Sequence, residues 1–303
     1  MITVSDRLGR RPARWLAVAL TLVTLAASLA AQVESSRRSF LWKATGARGS
    51  VYLVGSVHLL TKDYYPLSAS LEAAFEDSDL LVEEVDFAEM LKPETQVQTM
   101  ARGLLPAGQS LDKVVSADTL SLVSQRVSAL GMPIEPLKRF KPWSLALMLL
   151  GLEWQKAGFD PALGLDRHFY DQARSQGKAV KGLETVAFQL SRFDEMNNEQ
   201  QERLLVQSLK ELDTQRSAVA VLADAWKAGD VATIEGIVLQ ELKLETRLYE
   251  RLLVDRNRMW LPQIESLFER ARPAFIVVGA AHLVGPDGLL AMLTAKGYAI
   301  AQQ

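Results

Sequence analysis

Apolar positions follow two rhythms along this chain. Short, nearly continuous apolar runs predict strands at Phe40–Ala44, Val51–Val57, Leu80–Val85, Ala179–Leu183 and Phe275–Val278, the pattern expected where a sheet is covered on both faces. Elsewhere apolar residues recur every three or four positions. Leu67, Leu71, Ala74 and Phe75 do so around Ser68–Phe75, which predicts the crossover helix of a β-α-β unit and makes the strands on either side parallel. From about Pro93 to Arg272 the helical rhythm dominates, with stop signals at Gly131-Met132-Pro133, Gly158-Phe159-Asp160-Pro161 and Gly229-Asp230. Amphipathic helices are expected at Glu199–Arg216, Ala218–Ala228, Val231–Gln240 and Leu244–Asp255, their charge runs forming solvated faces. Pro142–Leu150 is the most apolar stretch downstream of the N-terminus, and its length suits a buried helix, not a membrane span. A last helix, Leu289–Ala295, follows the Gly285-Pro286-Asp287-Gly288 turn. The expected fold is α/β: a central, largely parallel sheet flanked by helices, with a large helical insertion at about 93–272. There is no tandem repeat and no low-complexity linker, so residues 31–303 read as a single domain.

Residues 1–30 break both rhythms. Arg7, Arg10, Arg11 and Arg14 precede an apolar run from Trp15 to Leu29, closed by the small residues Ser28, Ala30 and Ala31, which is the layout of a secretory signal peptide. The run is shorter than the roughly 20 residues a bilayer span needs, so cleavage and export to the periplasm or exterior are expected, with no permanent membrane span. The chain has no cysteine, which excludes disulfides and thiol chemistry and leaves His and carboxylates as metal ligands. Its formal net charge of −2 includes the basic leader, so the remainder is more acidic still; no basic patch for nucleic acid is visible.

Histidine occurs three times, and two of the three end a Gly-x-x-His segment that an apolar run feeds into. Val51-Tyr52-Leu53-Val54 enters Gly55-Ser56-Val57-His58, and Phe275-Ile276-Val277-Val278 enters Gly279-Ala280-Ala281-His282. At the carboxyl ends of parallel strands, side chains face the crevice where ligands bind, and a nearby Gly lets the backbone turn tightly or approach a ligand. His58 and His282 are therefore candidates to face one crevice; the plainer alternative is a pair of structural histidines bonded at strand ends. A third strand ends in Glu83-Glu84-Val85-Asp86, where alternation sends Glu84 and Asp86 to one side and Glu83 to the other. One of these carboxylates can join the two His around a divalent ion or serve as general base, although acids after a strand equally suit a solvated loop. Glu184, at another strand end, reads as a ligand, a partner of a ligating His, or a helix cap. Asp166 reads as the N-cap of a helix running to Gln176, and His168 as a helix-surface residue. Arg256 either pairs with Glu250 or Asp255 on its helix or holds charge developing on a substrate oxygen.

With these residues in place the chain resembles the TraB/GumN group, which includes the Tiki-type metalloproteases and is distantly similar to the erythromycin esterase and ChaN-like fold. The likeness covers most of the chain beyond the leader. It runs through Gly55–His58, Glu84-Val85-Asp86, Gly182-Leu183-Glu184-Thr185, Trp226-Lys227-Ala228-Gly229-Asp230, Arg256-Asn257, and Gly279–His282 followed by Gly285-Pro286-Asp287-Gly288-Leu289-Leu290. The resemblance implies a divalent-metal site, with manganese or cobalt supporting peptidase activity in the Tiki-type members. It places the metal on His58 and His282 with Glu84 essential beside them; zinc suits the same donor types. Arg256 is a further catalytic candidate, with Glu184, Asp86 and Asp166 around the site. The expected function is an exported metal-dependent hydrolase, peptidase-like, whose metal-activated water attacks a carbonyl of a peptide or small-molecule substrate. The alternative is a non-catalytic envelope protein that binds a peptide or exopolysaccharide-related partner.

Overall fold

Six strands form one sheet: β1 (Leu41–Thr45), β2 (Ser50–Ser56), β3 (Leu80–Val85), β4 (Ala179–Glu184), β5 (Ala274–Gly279) and β6 (Ala299–Gln302). They are seen in a computed structural model that describes residues 38–244 and 246–303, with side chains described for all of these except 211–218 and 240–244. The expected leader lies outside the described residues. The strand order is β4-β3-β5-β2-β1-β6. β2, β5, β3 and β4 are mutually parallel, and β1 runs antiparallel to both β2 and β6. The sheet is thus mostly parallel, as the apolar runs implied. β3 and β5 are buried along their whole length, which is why their sequences do not alternate. β6 escaped prediction because it is an edge strand of alternating exposed and half-buried residues, held by pairing with β1 and carrying no apolar run of its own.

The crossover helix after β2 spans Ala69–Asp77, begins at Ser68, whose hydroxyl accepts from the Leu71 N–H, and buries Leu71, Ala74 and Phe75. β2 and β3 are parallel as expected, but they are not neighbours: β5 lies between them and pairs with both. This late insertion brings the two Gly-x-x-His segments side by side, although more than 200 residues separate them in sequence.

Helices fill most of the chain between β3 and β5, interrupted by β4. Two expected helices are one: Asn198–Lys227 is continuous, started by a capping box between Asn197 and Gln200, because nothing near Ser217 stops it. The expected helix end at Asp255 is not observed either. A π-turn at Glu250–Val254 leads directly into the Asp255–Leu267 helix, which carries Pro262 inside it. Pro142–Lys156 lies against Asn198–Lys227, and Leu145, Leu149, Leu205 and Leu209 join Val123 and Val127 in a second apolar cluster apart from the sheet. The most apolar run downstream of the leader is therefore part of the core of a helical layer. No described helix is long and apolar enough to cross a membrane.

One aromatic cluster fixes the helix Leu165–Gln176 to the sheet. Phe169 lies 4.7 Å from Phe275 of β5 and 5.1 Å from Phe75 of the crossover helix, ring centre to ring centre, and all three are fully buried. Gly164 allows the start of this helix to press against the segment after β2: a Cβ there would collide with the His58 carbonyl, and the Leu165 N–H donates to Val57 O at 3.3 Å. Phe169→Ala is expected to lower the unfolding free energy by about 3–5 kcal/mol, seen as a lower urea midpoint at unchanged slope.

Candidate functional site

The four parallel strands end at one edge, with Ser56 opposite Gly279 and Val85 opposite Glu184. His58 follows β2 by two residues, His282 sits on the short Ala280–Leu283 helix after β5, Glu84 is near the end of β3, and Glu184 ends β4. The fold thus gathers four of the predicted residues, and three of them, Glu84, His58 and His282, meet at Gly279. A Cβ built there would lie 3.2 Å from Glu84 Oε1, 3.4 Å from His58 Nε2 and 3.7 Å from His282 Cδ2. Any other residue would fill this cradle. The Gly279 N–H also donates to Glu84 Oε1 at 2.7 Å.

Arg256, 6 % exposed, ties the edge together. Its Nε donates to both oxygens of Glu184 at 3.1 Å, and its Nη2 donates to Glu84 Oε2 at 2.6 Å and Glu184 Oε1 at 2.7 Å. Its Nη1 donates to Leu252 O at 3.1 Å and to His282 Nε2 at 3.0 Å. The opposite ring nitrogen, His282 Nδ1, donates to Asn257 Oδ1 at 2.7 Å, an assignment fixed by the guanidinium, which can only donate. Asn257 in turn donates to the carbonyls of His282 and Asp287. Trp260 packs its ring against both His282 and Arg256 and donates its indole N–H to Glu184.

Burial alone would raise Glu84, but the charge of Arg256, followed by that of His58 and by the Gly279 N–H, outweighs it and holds the carboxylate far below its usual range. Glu84 is therefore a fixed anion, and the proton-accepting part open to it in the sequence is not suited to it here. Burial, aided by Arg256, pushes His282 down to about 3, so this ring is neutral. Arg256 was a candidate for holding an oxyanion. Its five N–H groups are all engaged within the protein, and it acts instead by positioning Glu84 and His282. Its partners are not Glu250 or Asp255, which pair with Arg258.

His58 belongs to a second pairing. Its Nδ1 meets Asp166 Oδ2 at 2.8 Å, and the other oxygen of Asp166 accepts from Ser56 Oγ at 3.0 Å. The Asp166 carboxylate lifts the imidazole to about 9. Asp166 is thus no helix cap: Gly164 occupies the N-cap position, and Asp166 turns towards β2. Asp86 departs from the expected alternation, because β3 stops at Val85 and the Asp86 side chain caps the helix Phe87–Met90 by accepting from Ala88 N at 2.8 Å. Glu184 is neither helix cap nor partner of a histidine but the counter-ion of Arg256, while Thr185 caps the helix that follows. His168 is half-buried away from this edge, against Glu72, Gln172 and Tyr65.

A cavity of about 290 Å³ opens over His58 and Glu84. Asp166, Arg167 and Gln189 line its polar side, and Leu59, Phe87, Met90 and Pro161 its apolar side. Gln189 donates to Glu84 Oε2 at 3.0 Å. Glu83 lines it too, contrary to the expectation that alternation would send it away, because β3 ends here and both of its last acids meet the crevice. Burial pushes Glu83 up to about 9. Asn257 and Gln189 were missed as site residues, and Glu83, named among the strand-ending acids, was read as turned to the other side; of the two missed, only Asn257 carried a signal, its place beside Arg256.

Among the described residues no three His, Asp or Glu side chains are grouped as metal ligands. His282 offers no free lone pair there, because its Nε2 already accepts from Arg256. The donor chemistry that remains at the Gly279 cradle, the nitrogen of His58 with its other face held by a carboxylate and the hard oxygen of Glu84, fits a divalent ion on two protein ligands with further positions for water.

Two titrations check this geometry. The folded chain keeps His282 neutral while the unfolded chain takes up a proton there, so stability is expected to fall as pH drops from 6.5 towards 3. Urea midpoints across that window are expected to decline, and His282→Gln to flatten the decline nearest pH 6.5. Asp166→Asn is expected to bring the His58 imidazole from about 9 down towards its free value of 6.5, read from its ring-proton NMR shifts.

Comparison with known proteins identifies the family. The chain is 24 % identical over 245 residues to the uncharacterized protein YbaP of Escherichia coli (strain K12), covering 80 % of this chain and 87 % of that protein. An uncharacterized protein of Treponema pallidum (strain Nichols) is 21 % identical over 274 residues, 84 % of this chain and 80 % of its own. No solved structure matches. The profile of the TraB/PrgY/gumN family matches residues 40–302, from the residue before β1 to the end of β6, and the chain belongs to that family.

Proposed function

We propose that this chain is an exported, metal-dependent hydrolase with a peptide-like substrate. The observation that carries the reading is the convergence of His58 Nε2 and Glu84 Oε1 on the Gly279 cradle, at the floor of a cavity large enough for part of a peptide. His58 and Glu84 would hold the ion, which when bound supplies Lewis-acid polarisation of a carbonyl and an acidified water. Manganese, cobalt and zinc all suit one nitrogen and one carboxylate oxygen, so the donors do not choose among them.

The protein's own residues perform the rest. Asp166 fixes the His58 ring through Nδ1 and keeps Nε2 turned to the cradle. Glu84 is held ionised by Arg256, so it presents a constant negative charge at neutral pH. His282 supports this arrangement through Arg256 and Asn257, which makes it a positioning residue. Phe87, Leu59 and Pro161 exclude water from one side of the cavity, which strengthens the electrostatic interactions at its floor.

Metal analysis of the purified protein, paired with turnover of a peptide library, tests the reading. His58→Ala is expected to remove the bound metal and to lower hydrolysis by at least about 100-fold, and Asp166→Asn to weaken metal binding by about 10- to 100-fold. Unchanged metal content and unchanged hydrolysis in His58→Ala would overturn it. Binding without turnover in the unmodified protein, insensitive to chelation, would instead favour the non-catalytic envelope protein.

A further inference from the structure

Glu83 has no task in the fold. Only 2 % of its surface is exposed, and Oε1 has no hydrogen-bond partner among the described residues. Its other oxygen receives one long hydrogen bond, 3.4 Å, from the Phe87 N–H. A buried carboxyl oxygen left without a partner costs stability, and a methionine of similar length at the same place would not carry that cost. Where a protein keeps such a group, a water, an ion or a bound ligand supplies the partner. Glu83 lines the cavity over His58 and Glu84, so a molecule in that cavity lies beside it.

Resting on the hydrolase reading for the location of the substrate, we propose that Glu83 is a specificity-determining residue that hydrogen-bonds an amide group of a bound peptide, with an apolar side chain of the peptide seated beside it. The wall around Glu83 selects this class. Leu59, Phe87, Met90 and Pro161 offer apolar surface, and Met90, 41 % exposed, stands as an adaptable side chain able to follow different apolar shapes. A neutral amide, carrying both a donor and an acceptor, satisfies Oε1 whichever way it is turned.

The experiment compares the full-length protein with Glu83→Gln and Glu83→Met, using a panel of N-acetyl dipeptide amides with apolar side chains as probes. Three readouts are taken: melting temperature without probe, dissociation constant by calorimetry, and hydrolysis in the same samples. Glu83→Met is expected to melt about 2–4 °C higher and to bind the best probe about tenfold more weakly, while Glu83→Gln, which keeps a donor and an acceptor, binds within about threefold of the unmodified protein. Equal binding by Glu83→Met, a lower melting temperature for it, or no binding of any probe by the unmodified protein would each overturn the proposal. Hydrolysis decides the other question: Glu83-dependent binding without cleavage leaves this inference standing and removes the hydrolase reading, whereas cleavage and binding that are indifferent to Glu83→Met do the reverse.

Discussion

A guanidinium that is 6 % exposed and gives every N–H to a protein acceptor constrains all that surrounds it. Arg256 reaches from one helix to the ends of three strands: to Glu84 on β3, to Glu184 on β4 and to His282 just past β5. Removing one partner from a buried ion cluster of this kind typically costs 3–5 kcal/mol, because the charge left behind has neither water nor a counter-ion. The cluster therefore dictates charge states as well as positions. It keeps Glu84 ionised against the effect of burial, and it takes the lone pair of His282 that a metal would otherwise use.

The consequence is that two histidines which look equivalent in sequence are opposite in chemistry. His282 is buried, neutral and locked between Arg256 and Asn257. His58 has more than half of its side chain exposed and is paired with the carboxylate of Asp166, which draws positive charge onto it. One holds the frame and the other faces the cavity. The two acids at the end of β3 divide in the same manner: Glu84 is bonded through both oxygens, and Glu83, its neighbour, keeps an oxygen with no partner among the described residues.

This division depends on sheet topology. β5 arrives late in the chain and inserts between β2 and β3, so that Gly279 becomes the floor on which residues from both neighbours converge. The π-turn before Asp255 feeds straight into the helix that offers Arg256, Asn257 and Trp260 to that floor. The Leu165–Gln176 helix, held by the Phe75, Phe169 and Phe275 cluster, presents Asp166 from the other side. Packing far from the cavity thus sets the distances inside it.

By itself the sequence determined the strands that form the buried part of the sheet, because burial on both faces writes an apolar run into each. It determined the strand-end positions of His58, Glu84, Glu184 and His282 as well, since a motif that directly follows such a run can only lie at the edge. It did not determine β6, whose stability comes from pairing with β1, nor the single long helix Asn198–Lys227. Above all it could not give the partners. Asp166 was legible as a cap and Arg256 as an oxyanion donor, both reasonable from local spacing. Only the tertiary structure turned Asp166 to His58 and closed Arg256 on three strand ends, because hydrogen bonds between residues 26 to 172 positions apart leave no periodic trace in the chain.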